Sequence, residues 1–218
     1  MDLVIVGGAG TRDKYYEITK NEFNNTFNNI HIIDLVGSTL DEITYNVYNK
    51  IKDIKNNYII VGHCLGGMVL LSMIGKFTLI PNNLKGLVLC NSYYDCTQIK
   101  FNDFMEGKTP YELSNNYSQI IKTVYVLVNQ INITIKTGLS KYINNINRTH
   151  IPILIIGGTK DEAIKIDMLK KENTLLQNSI LRIIQDGRHS LIVQKTKEVN
   201  KLLSEFMTVV NNKKVISA

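Results

Sequence analysis

The sequence predicts an α/β domain: a mostly parallel six-stranded sheet flanked by helices, with a helical insertion near the middle of the chain. Two observations carry this prediction. Short, unbroken apolar runs alternate with segments of helical period, the pattern of strands buried on both faces. Most of those runs end in glycine-rich turns. The 218 residues suffice for one domain with a large core, and 44% apolar and 20% charged residues are globular proportions.

Leu3 to Val6 is wholly apolar and runs into Gly7-Gly8-Ala9-Gly10, a strand ending in a tight turn. Tyr16, Phe23 and Phe27 follow at roughly helical spacing within Asp13 to Phe27. Ile30 to Val36, closed by Gly37, is the second strand. Ser38 or Thr39 caps the next helix, where Asp41 and Glu42 suit the positive end of the dipole. Ile43, Val47, Ile51 and Ile54 give that helix one apolar face. Tyr58 to Val61 is the third strand and leads into Gly62-His63-Cys64-Leu65-Gly66-Gly67. The following helix, Leu65 to Phe77, is apolar nearly all round, as a helix buried beneath a sheet must be. Leu84 to Leu89, Ile151 to Ile156 and Ser179 to Ile184 complete the strands. A helix at about Ile164 to Leu176 separates the last two, and an amphipathic helix runs from about Leu191 to Val209.

Residues 93–149 break the alternation. Ile120, Ile121, Val124, Tyr125, Val128 and Ile131 fit a helical face, while Ile131, Ile133 and Ile135 alternate as a strand would. A long insertion within a compact domain usually serves as a lid or binding element. The expected division is a core of 1–92 and 150–218 with a mainly helical cap at 93–149.

Composition narrows the function. The net charge is +6, but the basic residues are scattered and nowhere interleaved with aromatics, so no nucleic-acid partner is expected. No apolar run reaches membrane-spanning length, and the N-terminus has neither a basic region nor a small-residue cleavage site. A cytoplasmic location is expected. Cys64, Cys90 and Cys96 are odd in number and without paired spacing, which points to thiols rather than disulfides or a zinc site.

Gly62-His63-Cys64-Leu65-Gly66 has the spacing of a turn that presents a nucleophile between a strand and a helix. Larger side chains at the flanking positions would collide with those elements. The helix beginning at Leu65 directs its N–H groups and positive dipole end at Cys64, an environment that favours a thiolate and an oxyanion. An inert buried cysteine is the bland alternative, but it would not require three glycines.

With these residues the chain resembles the α/β-hydrolase superfamily, in particular its small, capped, single-domain members. The resemblance spans Leu3 to about Met207 and implies the strand order 2-1-3-4-5-6. It follows the family's order of nucleophile, acid and histidine. It matches the acid to Asp161, in Gly157-Gly158-Thr159-Lys160-Asp161, and the base to His189, in Gly187-Arg188-His189-Ser190. Asp161 also reads as a helix cap and His189 as a surface residue at a helix start. Asp95 is a reserve acid. His31 lies within a strand, His63 holds the variable position of the turn, and His150 lies outside any suitable turn, so these are poorer bases. The resemblance places the oxyanion hole at the N–H groups of Ala9 and Leu65, although Gly7-Gly8 stands where the family often has His-Gly.

Most members carry serine where this chain has Cys64. Dienelactone hydrolases and polyhydroxyalkanoate synthases are similar in using cysteine, and the synthase box is similar to Cys64-Leu65-Gly66-Gly67. The synthases are far longer, so that likeness is local. The resemblance implies an acyl hydrolase for carboxylic esters or thioesters, small-molecule or acyl-carrier-linked, with no cofactor and no metal. Cys64 would attack the carbonyl, His189 would take and return the proton, and Asp161 would orient the imidazole. An acyltransferase using the same acyl-cysteine, and a binding protein that retains only the fold, remain as alternatives.

Overall fold

A computed structural model of the chain describes residues 1–100 and 117–212, with side chains described for 1–100 and 125–212. Its strands are β1 (Asp2–Val6), β2 (Ile30–Ile33), β3 (Tyr58–His63), β4 (Leu84–Cys90), β5 (Ile153–Gly158) and β6 (Ser179–Ile184). All are parallel and lie in the order β2-β1-β3-β4-β5-β6. The helices are α1 (Glu17–Phe23), α2 (Leu40–Ile51), α3 (Leu65–Leu71), α4 (Tyr117–Ile135), α5 (Ile143–Arg148), α6 (Ile166–Leu175), α7 (Leu191–Gln194) and α8 (Thr196–Asn212).

The unbroken apolar runs follow from the two-residue period of a strand covered on both sides. Val4, Val6, Ile60, Leu87, Leu89, Ile153 and Ile155 face one core with α2, α3 and the insertion. Leu3, Ile5, Ile59, Val61, Val88, Leu154 and Ile156 face the other, where α8 contributes Val199, Leu203, Phe206 and Val210. Each such side chain contributes roughly 1.5–3 kcal/mol when fully buried.

Local chemistry sets the ends. Thr39 caps α2 by accepting from the Glu42 N–H, while Glu42 reaches back to the Ser38 N–H. Strand β2 stops at Ile33, short of the expected Val36, because its partner β1 ends in register at Val6. The helix expected to run from Leu65 to Phe77 is α-helical only to Leu71 and widens into a π turn at Ser72–Lys76. There Gly75 lies under Ile146 and Tyr142 of the insertion. The final helix is broken at Lys195 into α7 and α8.

Of the expected cap, residues 101–116 and the side chains of Ile120, Ile121 and Val124 lie outside the described residues. The alternation of Ile131, Ile133 and Ile135 belongs to α4 and is helical. The described ends of the insertion meet each other: Leu139 N–H donates to Tyr94 O (2.9 Å) and Cys96 N–H to Thr137 O (3.1 Å).

Glu172 on α6 is fully buried. One oxygen accepts from the Tyr94 N–H at 2.9 Å, and the other has no partner among the described residues. Burial pushes its carboxyl up to about 8. An acid raised by folding costs stability as pH climbs, because the unfolded chain ionises first. Glu172→Gln keeps an acceptor for Tyr94. Its stability advantage over the parent should therefore widen between pH 5 and pH 8, by up to about 1.4 kcal/mol per pH unit. Urea unfolding at both values checks this, and an unchanged gap would contradict it.

Candidate active site

The parallel register brings the C-terminal strand ends to one edge: Val6 pairs with Gly62, His63 with Cys90, Cys90 with Ile156 and Gly158 with Ile184. The chain leaves β1 for β2 on one side, and β3 lies on the other. Such a reversal opens a crevice at the strand ends. Cys64 follows β3 at this place.

Cys64 adopts φ 53° and ψ −120° as the cap of α3. The turn is possible because two neighbours lack a Cβ. A Cβ on Gly62 would strike the backbone of Gly67, and one on Gly66 would strike the carbonyls of Val6 and Gly7. Helix α3 can therefore lie directly on the end of β1. A second close approach joins two loops: a Cβ on Gly158 would strike the backbone of Gly187. The loop after β5 thus touches the loop after β6, and Lys160 N–H donates to Gly187 O at 2.8 Å.

These loops carry Asp161 and His189, both buried. His189 Nδ1 donates to Asp161, lying 3.1 Å from Oδ1 and 3.0 Å from Oδ2. Asp161 Oδ1 also accepts from the N–H groups of Ala163 and Ile164, each at 2.9 Å, and Oδ2 accepts from Asn91 Nδ2. Asp161 thus pairs with the histidine and holds the turn ahead of α6, but it does not cap that helix, whose N-cap is Lys165. Burial would raise its carboxyl, but His189 and these donors outweigh burial and hold it below the usual value.

Cys64 stands beside His189 and favours a charge on its ring. With Nδ1 turned to Asp161, Nε2 is the nitrogen left to serve Cys64. Burial opposes charge on the ring, yet Cys64 and Asp161 outweigh it and push His189 up to about 10. Cys64 is 5% exposed. The structure therefore brings Cys64, His189 and Asp161 together in one buried cluster, with His189 bonded to Asp161 and set beside Cys64.

The other candidates lie elsewhere. Asp95 accepts from Thr97 and Ser140 at the mouth of the insertion. His31 meets Asp2 at 3.3 Å on the edge of β2. His150 is exposed and has a positive φ. His63, at the variable position of the turn, is buried and bonded on both ring nitrogens, to Tyr16 and to the His189 carbonyl. Ala9 lies in the loop after β1, and Leu65 is the first residue of α3.

Sequence reasoning missed Gln130. This buried residue of α4 accepts from Gly10 N–H at 2.7 Å and donates to Leu35 O at 3.1 Å. A polar residue inside an apolar helical face was its only sequence signal. Beside it lies a crevice of about 330 Å³ lined by apolar Leu35, Val36 and Val126 and by polar Arg12, Asp34 and Gln130. Among the described residues, no group of three or more His, Cys, Asp or Glu could hold a metal ion. No described helix is long and apolar enough to cross a membrane.

No family model matches the chain, and no curated protein matches its sequence. Solved structures do match. A lipase-esterase related protein from Clostridium acetobutylicum is similar with a TM-score of 0.74 and 18% identity, over 94% of this chain and 93% of that one. The chain has the α/β-hydrolase fold. Two further structures with similar architecture differ in name. A thermophilic esterase from Thermogutta terrifontis matches with a TM-score of 0.70 and 13% identity, over 96% of this chain and 90% of its own. A bromoperoxidase from Bacillus anthracis matches with a TM-score of 0.72 and 17% identity, over 95% and 91%. Likeness at this level concerns the α/β-hydrolase fold, and chemistry must be argued from the residues.

The balance of charges around His189 has a measurable consequence. A histidine raised above its unfolded value of about 6.5 contributes stability fully below that pH and loses it as pH rises through about 10. Nitrogen NMR of the ring should find His189 protonated at pH 8. Cys64→Ala removes the largest favourable partner, so the ring should lose its proton at lower pH; an unchanged titration would contradict the assignment.

Proposed function

We propose that the chain is an acyl hydrolase acting on carboxylic esters or thioesters through an acyl-cysteine on Cys64. The observation that carries this reading is the buried cluster at the strand ends, where His189 is bonded to Asp161 and stands beside Cys64. Esterase and lipase names among the structures of like fold support it.

With the proton held on His189, the Cys64 thiolate attacks the acyl carbonyl. The oxyanion is held by the N–H groups of Leu65 and Ala9. As the tetrahedral species collapses, the bond to the leaving oxygen or sulfur breaks and His189 gives it the proton. The neutral imidazole then takes a proton from water, whose oxygen attacks the thioester, and the carboxylic acid departs from Cys64 as the thiolate and protonated imidazole are restored. Asp161 keeps Nδ1 protonated throughout, so that Nε2 faces the chemistry. Residues 93–149 act as the cap. Leu127 and Gln130 pack on Gly10, which supports that role. The crevice at this seam borders the loop of Gly10 and Thr11, and its lining includes neither Cys64 nor His189.

Rapid mixing with a p-nitrophenyl ester tests the mechanism. A burst near one equivalent per site should precede a slower steady phase, because the thiolate acylates readily. Cys64→Ala should abolish both phases, and His189→Ala should lower turnover by roughly 10²–10⁴-fold. A Cys64→Ala protein turning over at the parent rate would overturn the reading.

A further inference from the structure

The side chain just before Cys64 ties together two loops that the proposed chemistry needs. His63 is 3% exposed, and Tyr16, from the turn after β1, is fully buried. His63 Nε2 lies 3.0 Å from the carbonyl oxygen of His189, and Nδ1 lies 3.0 Å from Tyr16 Oη. Tyr16 Oη in turn accepts from Gly8 N–H at 3.0 Å, one residue before Ala9. A carbonyl only accepts, so Nε2 carries a hydrogen. In a neutral ring Nδ1 then accepts from the Tyr16 hydroxyl, which leaves the Tyr16 oxygen for Gly8. Thr11 Oγ1 donates to Gly8 O at 2.9 Å and lies 3.1 Å from Tyr16 Oη.

We propose that His63 is a positioning residue: through one buried chain of hydrogen bonds it fixes the backbone of His189 and, by way of Tyr16, the loop that presents Ala9. The inference rests on the proposed Cys64 chemistry but concerns residues outside the nucleophile, acid and base. His63 touches no reacting atom in that scheme. Its effect passes through two backbones, each of which must hold a group against a developing charge. Misplacing a reacting group by about 1 Å can cost on the order of 10²-fold in rate. A buried ring bonded at both nitrogens holds such a position better than an apolar side chain, because shifting it leaves buried polar groups unpaired.

Two amide variants separate the two bonds. In His63→Gln the amide nitrogen reaches the Nε2 position and can still donate to His189 O. In His63→Asn the amide reaches only the Nδ1 position and can meet only Tyr16. Rates are expressed per titrated Cys64, so that misfolded protein does not count. His63→Ala and His63→Asn should lower kcat by on the order of 10²-fold with KM little changed, and His63→Gln should recover most of the loss. Tyr16→Phe supplies an independent variant of the same chain and should also lower kcat per titrated site. Alkylation of Cys64 by iodoacetamide needs no ester, so it distinguishes failure of this inference from failure of the hydrolase reading. Slower alkylation in His63→Ala and recovery in His63→Gln support positioning, whatever the substrate. Parent-like alkylation and parent-like kcat per site in all four variants, even with a lowered thermal midpoint, would overturn it.

Discussion

Cys64 stands at a backbone conformation, φ 53° and ψ −120°, that side-chain-bearing residues avoid at a cost of about 1–3 kcal/mol. What sustains it is the contact between the start of α3 and the end of β1, closed enough that Gly66 meets the carbonyls of Val6 and Gly7. Everything at the strand ends follows from that contact. It sets the direction of the thiol, places the first N–H groups of α3 beside it, and brings the loop of Gly8 and Ala9 alongside. Other strain gathers at the same edge. Asn91 after β4 and Asp186 after β6 also have positive φ, and Asn91 is spent holding Asp161. The cores on both faces of the sheet supply the stability that tolerates this.

Within that frame the charges are balanced by geometry. A buried carboxylate and a buried imidazole each lose hydration, and removing one partner of such a set costs far more than the pair contributes. Asp161 answers its burial with four donors: His189, Ala163, Ile164 and Asn91. His189 answers with Asp161 on one nitrogen and Cys64 on the other side of the ring. Glu172, also fully buried, has no partner for its second oxygen among the described residues, and burial pushes it up to about 8 instead. The contrast separates a carboxyl arranged to hold charge from one arranged to avoid it.

The strands were legible because a strand buried on both faces is an unbroken apolar run, and Val4 and Leu3 in opposite cores show why. The turn at Cys64 was legible because close packing demands glycine at fixed spacing. Sheet order was not legible from periodicity, which carries no information on neighbours, and came from resemblance. Nor was the π turn at Ser72–Lys76, whose neighbours Ile146 and Tyr142 lie far along the chain. His63 and Gln130 escaped for the same reason: their partners, His189 O, Tyr16, Gly10 and Leu35, are distant in sequence and mostly backbone. Spacing reveals a residue's local role, whereas bonds to remote carbonyls and amides leave no pattern.

The strained turn makes Cys64, rather than Cys90 or Cys96, the residue that accepts the acyl group in the proposed reaction. Acid-quenched reaction with an activated ester, followed by peptide mapping in the mass spectrometer, tests it most directly. One acyl mass increment should appear within the burst, on the peptide bearing Cys64, and decay as turnover ends. An acyl group found on Cys90, Cys96 or a serine during turnover, with Cys64 unmodified, would contradict it.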